Sequence, residues 1–386
     1  MYTPTSDIKK TLPDLQAWRQ DLHAHPELAY QETRTSGFVA DTLRSWGLDV
    51  TTAIAKTGVV GVLDFGPGPS LGIRADMDAL PLQEQTRLPF ASKTEGIMHA
   101  CGHDGHTVMA LGAARILSEH RALKGKVVFI FQPAEENEGG ADLMVREGLF
   151  GRFPMDAVFG LHNMPQVPIG EVWARPGAVS ASFDTFDITL TGKGGHGAFP
   201  DQAADPVVAA SQLVCALNTI VGRTIPAAQR AVIAICAVHA GDTYNVIPSQ
   251  ATIKGSVRAF DGDVQKALKS EILQTTQGMA AAFGIDSAID YRERYPAVIN
   301  TPDETQLLQS IVQENPSEFT LQSDFEPFMG SEDFSFYLQE RPGCFFVIGN
   351  GGQGGPLHSP TYEFNDDALP VGVALWELLA MRFNAC

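Results

Sequence analysis

Apolar residues recur at three- and four-residue steps near the start of the chain. Leu12, Leu15, Trp18 and Leu22 form one stripe, which predicts an amphipathic helix. A second helix is predicted over 35–46, with Gly47 as its stop. Short apolar runs follow at 59–65, 71–74, 127–131 and 157–161, and a helical pattern occupies 108–119. The runs have the length of buried strands. Strands alternating with helices predict an α/β domain built on a mostly parallel sheet with helices on both faces.

The pattern changes near residue 182. Residues 183–191 alternate as a half-exposed strand. A helix is predicted over 206–221, strands at 231–240 and 251–260, a helix over 264–283 and a strand at 288–295. That order, β-α-β-β-α-β, is the split unit of ferredoxin-like folds. It predicts an α+β domain at 183–296 inserted into a first domain formed by 1–182 and 297–386. The last part carries a predicted helix at 304–313, another after Ser331, a strand at 344–348 and a final helix from near Asp367.

Composition narrows the classes. A chain of 386 residues has room for two domains, and 44% hydrophobic with 19% charged residues describes a globular protein. Lys and Arg number 27 against 45 Asp and Glu, a formal charge of −18. Such a surface repels phosphate backbones and argues against a nucleic-acid partner. The longest apolar runs are strand-length, so no membrane span is expected. Residues 1–10 lack the apolar core of a secretory signal. Five scattered cysteines, Cys101, Cys215, Cys236, Cys344 and Cys386, argue against a disulfide framework and fit a reducing cytoplasm.

Four segments concentrate metal-ligand residue types. They are His99-Ala100-Cys101-Gly102-His103-Asp104-Gly105-His106, Gln132-Pro133-Ala134-Glu135-Glu136, His162-Asn163 and His358-Ser359-Pro360. The second and third directly follow apolar strands, where sites form in open α/β sheets, and Asp76-Met77-Asp78 also follows a strand. Thiolate, imidazole and carboxylate suit zinc; imidazole with carboxylate also suits manganese, cobalt or nickel. A thiolate can bridge two ions. The pair Glu135-Glu136 has a natural division, one carboxylate on metal and its neighbour free as a base. Taken singly, each has an ordinary reading: Asp76 and Asp78 as a turn cap, the Glu pair as a solvated face, Cys101 as a small buried residue. His23, His25, His120 and His239 are read as core or surface histidines. Two glycine-rich strings, 192–197 and 349–354, match a dinucleotide fingerprint literally, but neither opens a helix directly.

These strings, in this order, resemble the aminoacylase/carboxypeptidase family of dinuclear metallopeptidases, in its branch of hippurate hydrolases and indoleacetyl-amino-acid hydrolases. The matching stretches are 23–27, 72–81, 99–107, 132–136, 160–163, 192–200, 245–248, 330–334 and 358–365. The resemblance implies two divalent ions, zinc or manganese, held by Cys101, His103, Glu136, His162 and His358. It implies Glu135 as general base, with Asp78 and Asp104 orienting the ligands. Where the wider family has a metal-binding histidine this chain has Asp76, which leaves open whether Asp76 touches metal. The resemblance also implies that the inserted domain is a lid that pairs subunits into a dimer or tetramer. His196 would stabilise the oxyanion there, Asn245 would help it or bind the substrate carboxylate, and Arg258 is a candidate clamp for that carboxylate. Arg258 reads equally well as a surface strand residue.

The expected activity is hydrolysis of N-acyl-amino acids to a carboxylic acid and a free amino acid. The alternatives are a dipeptidase or carboxypeptidase of the same family, a non-catalytic small-ligand binder on the same scaffold, and a thiol hydrolase using Cys101 with His103.

Overall fold

The computed structural model describes residues 6–120, 123–136 and 138–384. Cys386 and the first five residues of the chain lie outside them. The chain divides into two compact units, 1–179 with 299–326 and 333–386, and 180–298 with 327–332.

The larger unit is mixed α/β. Its eight-stranded sheet runs in the order Asp49–Ile54, Gly58–Asp64, Lys126–Gln132, Ser70–Asp76, Ala157–Met164, Gly343–Gly349, Glu171–Trp173, Thr320–Gln322. The four central strands, Lys126–Gln132 through Gly343–Gly349, are mutually parallel. They are apolar on both faces, as the continuous runs require: Val127, Phe129, Phe131, Leu71, Ile73, Phe159 and Phe346 are all buried. The flanks depart from the expected parallel pattern. Gly58–Asp64 runs antiparallel to Lys126–Gln132, Asp49–Ile54 antiparallel to Gly58–Asp64, and Glu171–Trp173 antiparallel to Gly343–Gly349. Helices Ser6–Ala24, His103–Glu119 and Leu369–Phe383 pack together on this sheet, with Trp376 edge-on to Phe346 at 5.2 Å.

Most predicted strands extend by only a residue or two beyond the apolar runs. The helix predicted at 108–119 instead begins at His103, because its first turn is polar yet buried. Strand Asp49–Ile54 escaped the sequence reading because it is largely exposed and shows no alternation.

The smaller unit is a four-stranded antiparallel sheet, ordered Ala231–His239, Gln250–Ala259, Phe183–Thr191, Asp286–Tyr295. Helices Pro206–Thr224 and Gly262–Ala282 bury Leu213, Leu217, Leu268 and Ile272 against Phe186, Ile188 and Ile253. Asp205 and Asp261 cap the two helices, each accepting two backbone N–H bonds.

Helix Pro206–Thr224 is longer than the strand-length apolar runs the sequence shows elsewhere. By length and composition only, it is apolar enough to cross a membrane. Ser211, Gln212, Asn218 and Thr219 interrupt its apolar run. Those residues are exposed, while Ala209, Leu213, Leu217 and Ile220 face the unit's core. Among the described residues, Cys101, Cys215, Cys236 and Cys344 are free thiols.

Candidate metal centre

The parallel strands deliver the donors to one edge of the sheet. Asp78 follows Ser70–Asp76, Glu135 and Glu136 follow Lys126–Gln132, and His162 lies near the end of Ala157–Met164. Register aligns these ends, with Asp76 opposite Gln132 and His162 opposite Val347. His103 opens its helix, and Cys101 sits on the preceding turn. Gly102 makes that turn at φ 90°, and a Cβ there would lie 2.3 Å from Asn163 Nδ2 and 2.5 Å from the Tyr362 hydroxyl. Only glycine fits. His358 comes from the loop after Gly343–Gly349, at φ 61°.

Two sets of donors result. The ligand atoms of Cys101, His103 and His162 lie within 4.8 Å of one another, and so do those of Cys101, Glu136 and His358. Cys101 belongs to both sets, as a bridging thiolate must. Its Sγ is 3.3 Å from His162 Nε2, and His358 Nε2 is 3.1 Å from Glu136 Oε1. A third set joins His103, Glu135 and Glu136.

Two of the histidines have their far nitrogen occupied. His103 Nδ1 lies 2.9 Å from the Asp78 carbonyl and 3.2 Å from Asp78 Oδ1, and His162 Nδ1 lies 2.6 Å from the Asn163 carbonyl. Donating there fixes the tautomer that leaves Nε2 with a bare lone pair. His103 Nε2 is buried and makes no hydrogen bond, and buried Glu136 Oε1 has the His358 ring nitrogen beside it at 3.1 Å. A buried imidazole nitrogen without a hydrogen bond, beside a buried thiol and a carboxylate, is costly in a plain protein core and is what a cation relieves, so this donor set fits divalent metal.

Asp78 organises the group. Its Oδ1 accepts the Glu135 N–H and its Oδ2 the Glu136 N–H, each at 3.0 Å. One carboxylate thus ties the His103 ring to the backbone of the Glu pair. Asp76 is engaged elsewhere. It accepts from Arg74 at 2.6 Å and from His106 Nδ1 at 2.7 Å, and lies 3.7 Å from His103 Nε2. His106 Nε2 in turn accepts the Asn163 N–H at 3.0 Å. Asp76 thus ties Arg74 and His106 together beneath the site, and with His103 and His106 it forms a further group of possible ligand atoms within 4.8 Å of one another.

The electrostatics agree. Burial opposes charge on His103, yet Asp76 and Asp78 outweigh it and carry the ring up to about 10. Burial, with Glu136 and Glu135 nearby, pushes the Cys101 thiol well up. Burial, with the His106 ring beside it, brings His162 down to about 3. Surplus negative charge raises both His103 and Cys101, and a divalent cation in the same place reverses those two upward shifts.

Other sequence candidates fall into separate groups. Asp104 Oδ2 lies 2.9 Å from His23 Nδ1 and 3.9 Å from Arg19, and its Oδ1 accepts the Gly105 N–H. Burial opposes charge on His23, but Asp104 and Glu84 raise it to about 9, so this core histidine is a buried cation. In the smaller unit, His196 pairs with Val246 in a short ladder, its Nδ1 accepts the Ala198 N–H, and Gly197 donates to the Asn245 carbonyl. His196 and Asn245 line one open cleft of about 750 Å³. Arg258 stacks over Phe183 at 4.6 Å and donates to the Met329 carbonyl. No helix opens on the glycines before His196, as rejection of a dinucleotide site requires.

Sequence reasoning missed the support beneath the donors. Arg74, buried in its strand, binds Asp76, Gln132 Oε1 at 2.8 Å and Asp333 Oδ1 at 3.0 Å, and Gln132 also donates to Asp333. A charged residue inside an otherwise apolar strand was the available signal. Tyr362 donates to Asn163 Oδ1 at 2.8 Å, and Glu32 accepts the Ala134 N–H at 2.9 Å.

Comparison with known proteins gives a consistent result. The profile of Peptidase family M20/M25/M40 matches residues 72–382. A hippurate hydrolase from Campylobacter jejuni is 40% identical over 366 residues, 95% of each chain. An N-acetylcysteine deacetylase from Bacillus subtilis is 39% identical over 367 residues, 94% of this chain and 95% of that one. A solved Bacillus subtilis structure described as a dinuclear metal binding peptidase superposes with a TM-score of 0.84 at 35% identity, covering 98% of this chain and 100% of that one.

Proposed function

The chain belongs to Peptidase family M20/M25/M40, and from that membership we propose how its residues divide the work of hydrolysis. It is a metal-dependent amidohydrolase that cleaves N-acyl-amino acids to a carboxylic acid and a free amino acid. Cys101, His103, Glu136, His162 and His358 would hold two divalent ions, zinc or manganese. When bound, the ions supply Lewis acidity to the amide carbonyl and to water. Glu135 takes a proton from the attacking water, whose oxygen bonds to the acyl carbon. The C–N bond then breaks as Glu135 returns the proton to the leaving nitrogen. Asp78 keeps Glu135 and Glu136 facing the reaction by binding both of their amides. His196 donates to the developing oxyanion, and Asn245 and Arg258 receive the substrate carboxylate.

The observation that carries this reading is Cys101's place in both donor sets, beside a buried His103 nitrogen left without a hydrogen bond. We further propose that the smaller unit acts as a lid and pairs two chains. Its edge strand Ala231–His239 exposes Val232 and Val238 and pairs on one side only among the described residues.

A substrate panel on metal-reconstituted protein tests the reading. Hippurate and N-acetyl-amino acids should release free amino acid, activity should vanish on chelation, and zinc or manganese should restore it. Turnover of free dipeptides alone would replace the assignment with a peptidase. Activity that survives chelation but not thiol alkylation would replace it with a Cys101 hydrolase.

A further inference from the structure

The turn that carries the Glu pair adopts a backbone shape that its sequence does not favour. Ala134, directly before Glu135, is fully buried at φ 56°, in the left-handed region that residues with a Cβ rarely enter. Three consecutive amides of this turn are each bound by a carboxylate. Asp78 takes those of Glu135 and Glu136, and Glu32 Oε1 takes that of Ala134 at 2.9 Å. The Ala134 carbonyl accepts the Gly140 N–H at 2.9 Å, and a Cβ on Gly140 would lie 1.8 Å from the Pro133 oxygen, so the turn closes tightly on itself.

Glu32 precedes helix Thr33–Ser45, where an acidic residue ordinarily caps the helix. Here its side chain makes no cap bond. Glu27 does that work, accepting the N–H groups of Arg34 and Thr35 at 2.9 Å each. Glu32 is fully buried instead, with Oε1 on Ala134 and Oε2 accepting the Thr57 hydroxyl at 2.6 Å.

We propose that Glu32, braced by Thr57, is a positioning residue that holds Ala134 in its left-handed conformation and so aims Glu135 and Glu136 at the donor cluster. A charged acceptor binds an amide more strongly than a neutral one does. Without it, Ala134 relaxes toward ordinary φ and swings the next two side chains away. The inference rests on Glu135 as base and Glu136 as metal ligand.

Kinetics test it, with metal content measured in every variant. Glu32→Ala should lower kcat by about ten- to a hundred-fold, the scale of a misplacement of about 1 Å, while KM changes little. Glu32→Gln keeps an acceptor and should lose less. Adding Ala134→Gly to Glu32→Ala should recover several-fold, because glycine takes positive φ without strain. A purely structural role would reduce the folded fraction, leave turnover per metal-loaded chain unchanged, and give no rescue by glycine; either of the last two results overturns the proposal. Should Glu32→Ala not fold, Thr57→Val should lower kcat in the same direction by less, and unchanged turnover there overturns it equally. Glu135→Gln run in parallel separates the two layers. If that variant stays active, the base assignment fails. If it is inactive and Glu32→Ala is unaffected, only the brace fails.

Discussion

Glu135→Gln should lower kcat by about two to four orders of magnitude while metal content per chain stays at the wild-type level. The amide keeps the shape of the carboxylate and can still accept the Asp333 N–H, which lies 3.4 Å from Glu135 Oε1. The backbone bonds to Asp78 involve no side-chain atom of residue 135 and persist. What disappears is the ability to take a proton from water and return it to the leaving nitrogen, a contribution of roughly 10²–10⁴ in general acid–base catalysis. Because Glu135 also lies in a donor set with His103 and Glu136, its alternative role is that of a ligand. Metal analysis decides between them. Turnover lost together with metal makes Glu135 a ligand, and turnover retained removes it from the mechanism.

Arg74→Met should lower the unfolding free energy of the larger unit by about 3–5 kcal/mol, the scale for removing one partner of a buried ion pair. Arg74, Asp76 and Asp333 are all buried, and the guanidinium reaches both carboxylates and Gln132 at once. Methionine fills the space and strands two carboxylates without their counter-ion. Lysine should not substitute, because one ammonium cannot reproduce the planar fork. Adding Asp76→Asn and Asp333→Asn should recover much of the loss, since the stranded charges go with them. Denaturant unfolding measures this, and a loss below about 1 kcal/mol for Arg74→Met would show the network to be dispensable.

The features legible in the sequence were those written in local runs. The apolar stretches around Val127–Phe131 and Ala157–Leu161 became the buried central strands because a strand covered on both faces must be apolar throughout. Glu135, Glu136 and His162 were legible because they directly follow apolar runs, whereas Cys101, His103 and His358 stood out by residue type and by the resemblance of their motifs. The antiparallel flanks were not, since short strands such as Glu171–Trp173 and Thr320–Gln322 have three residues and no period to read. The polar string at 103–106 lies ahead of the helical pattern at 108–119 and is the first turn of that buried helix, its histidines met by Asp76 and Asp78. Asp76 shows the same limit. As sequence it was a possible metal ligand, and only the approach of Arg74 and His106 engages its carboxylate. Glu32 and Ala134 are separated by 102 positions, and neither residue type signals the bond between them.

Anomalous diffraction from crystals loaded with zinc or manganese tests the central claim most directly. Two peaks should appear, with Cys101 Sγ among the donors of both, His103 and His162 joining on one side and Glu136 and His358 on the other. A single peak, or two peaks that leave the Cys101 thiol untouched, would contradict the account.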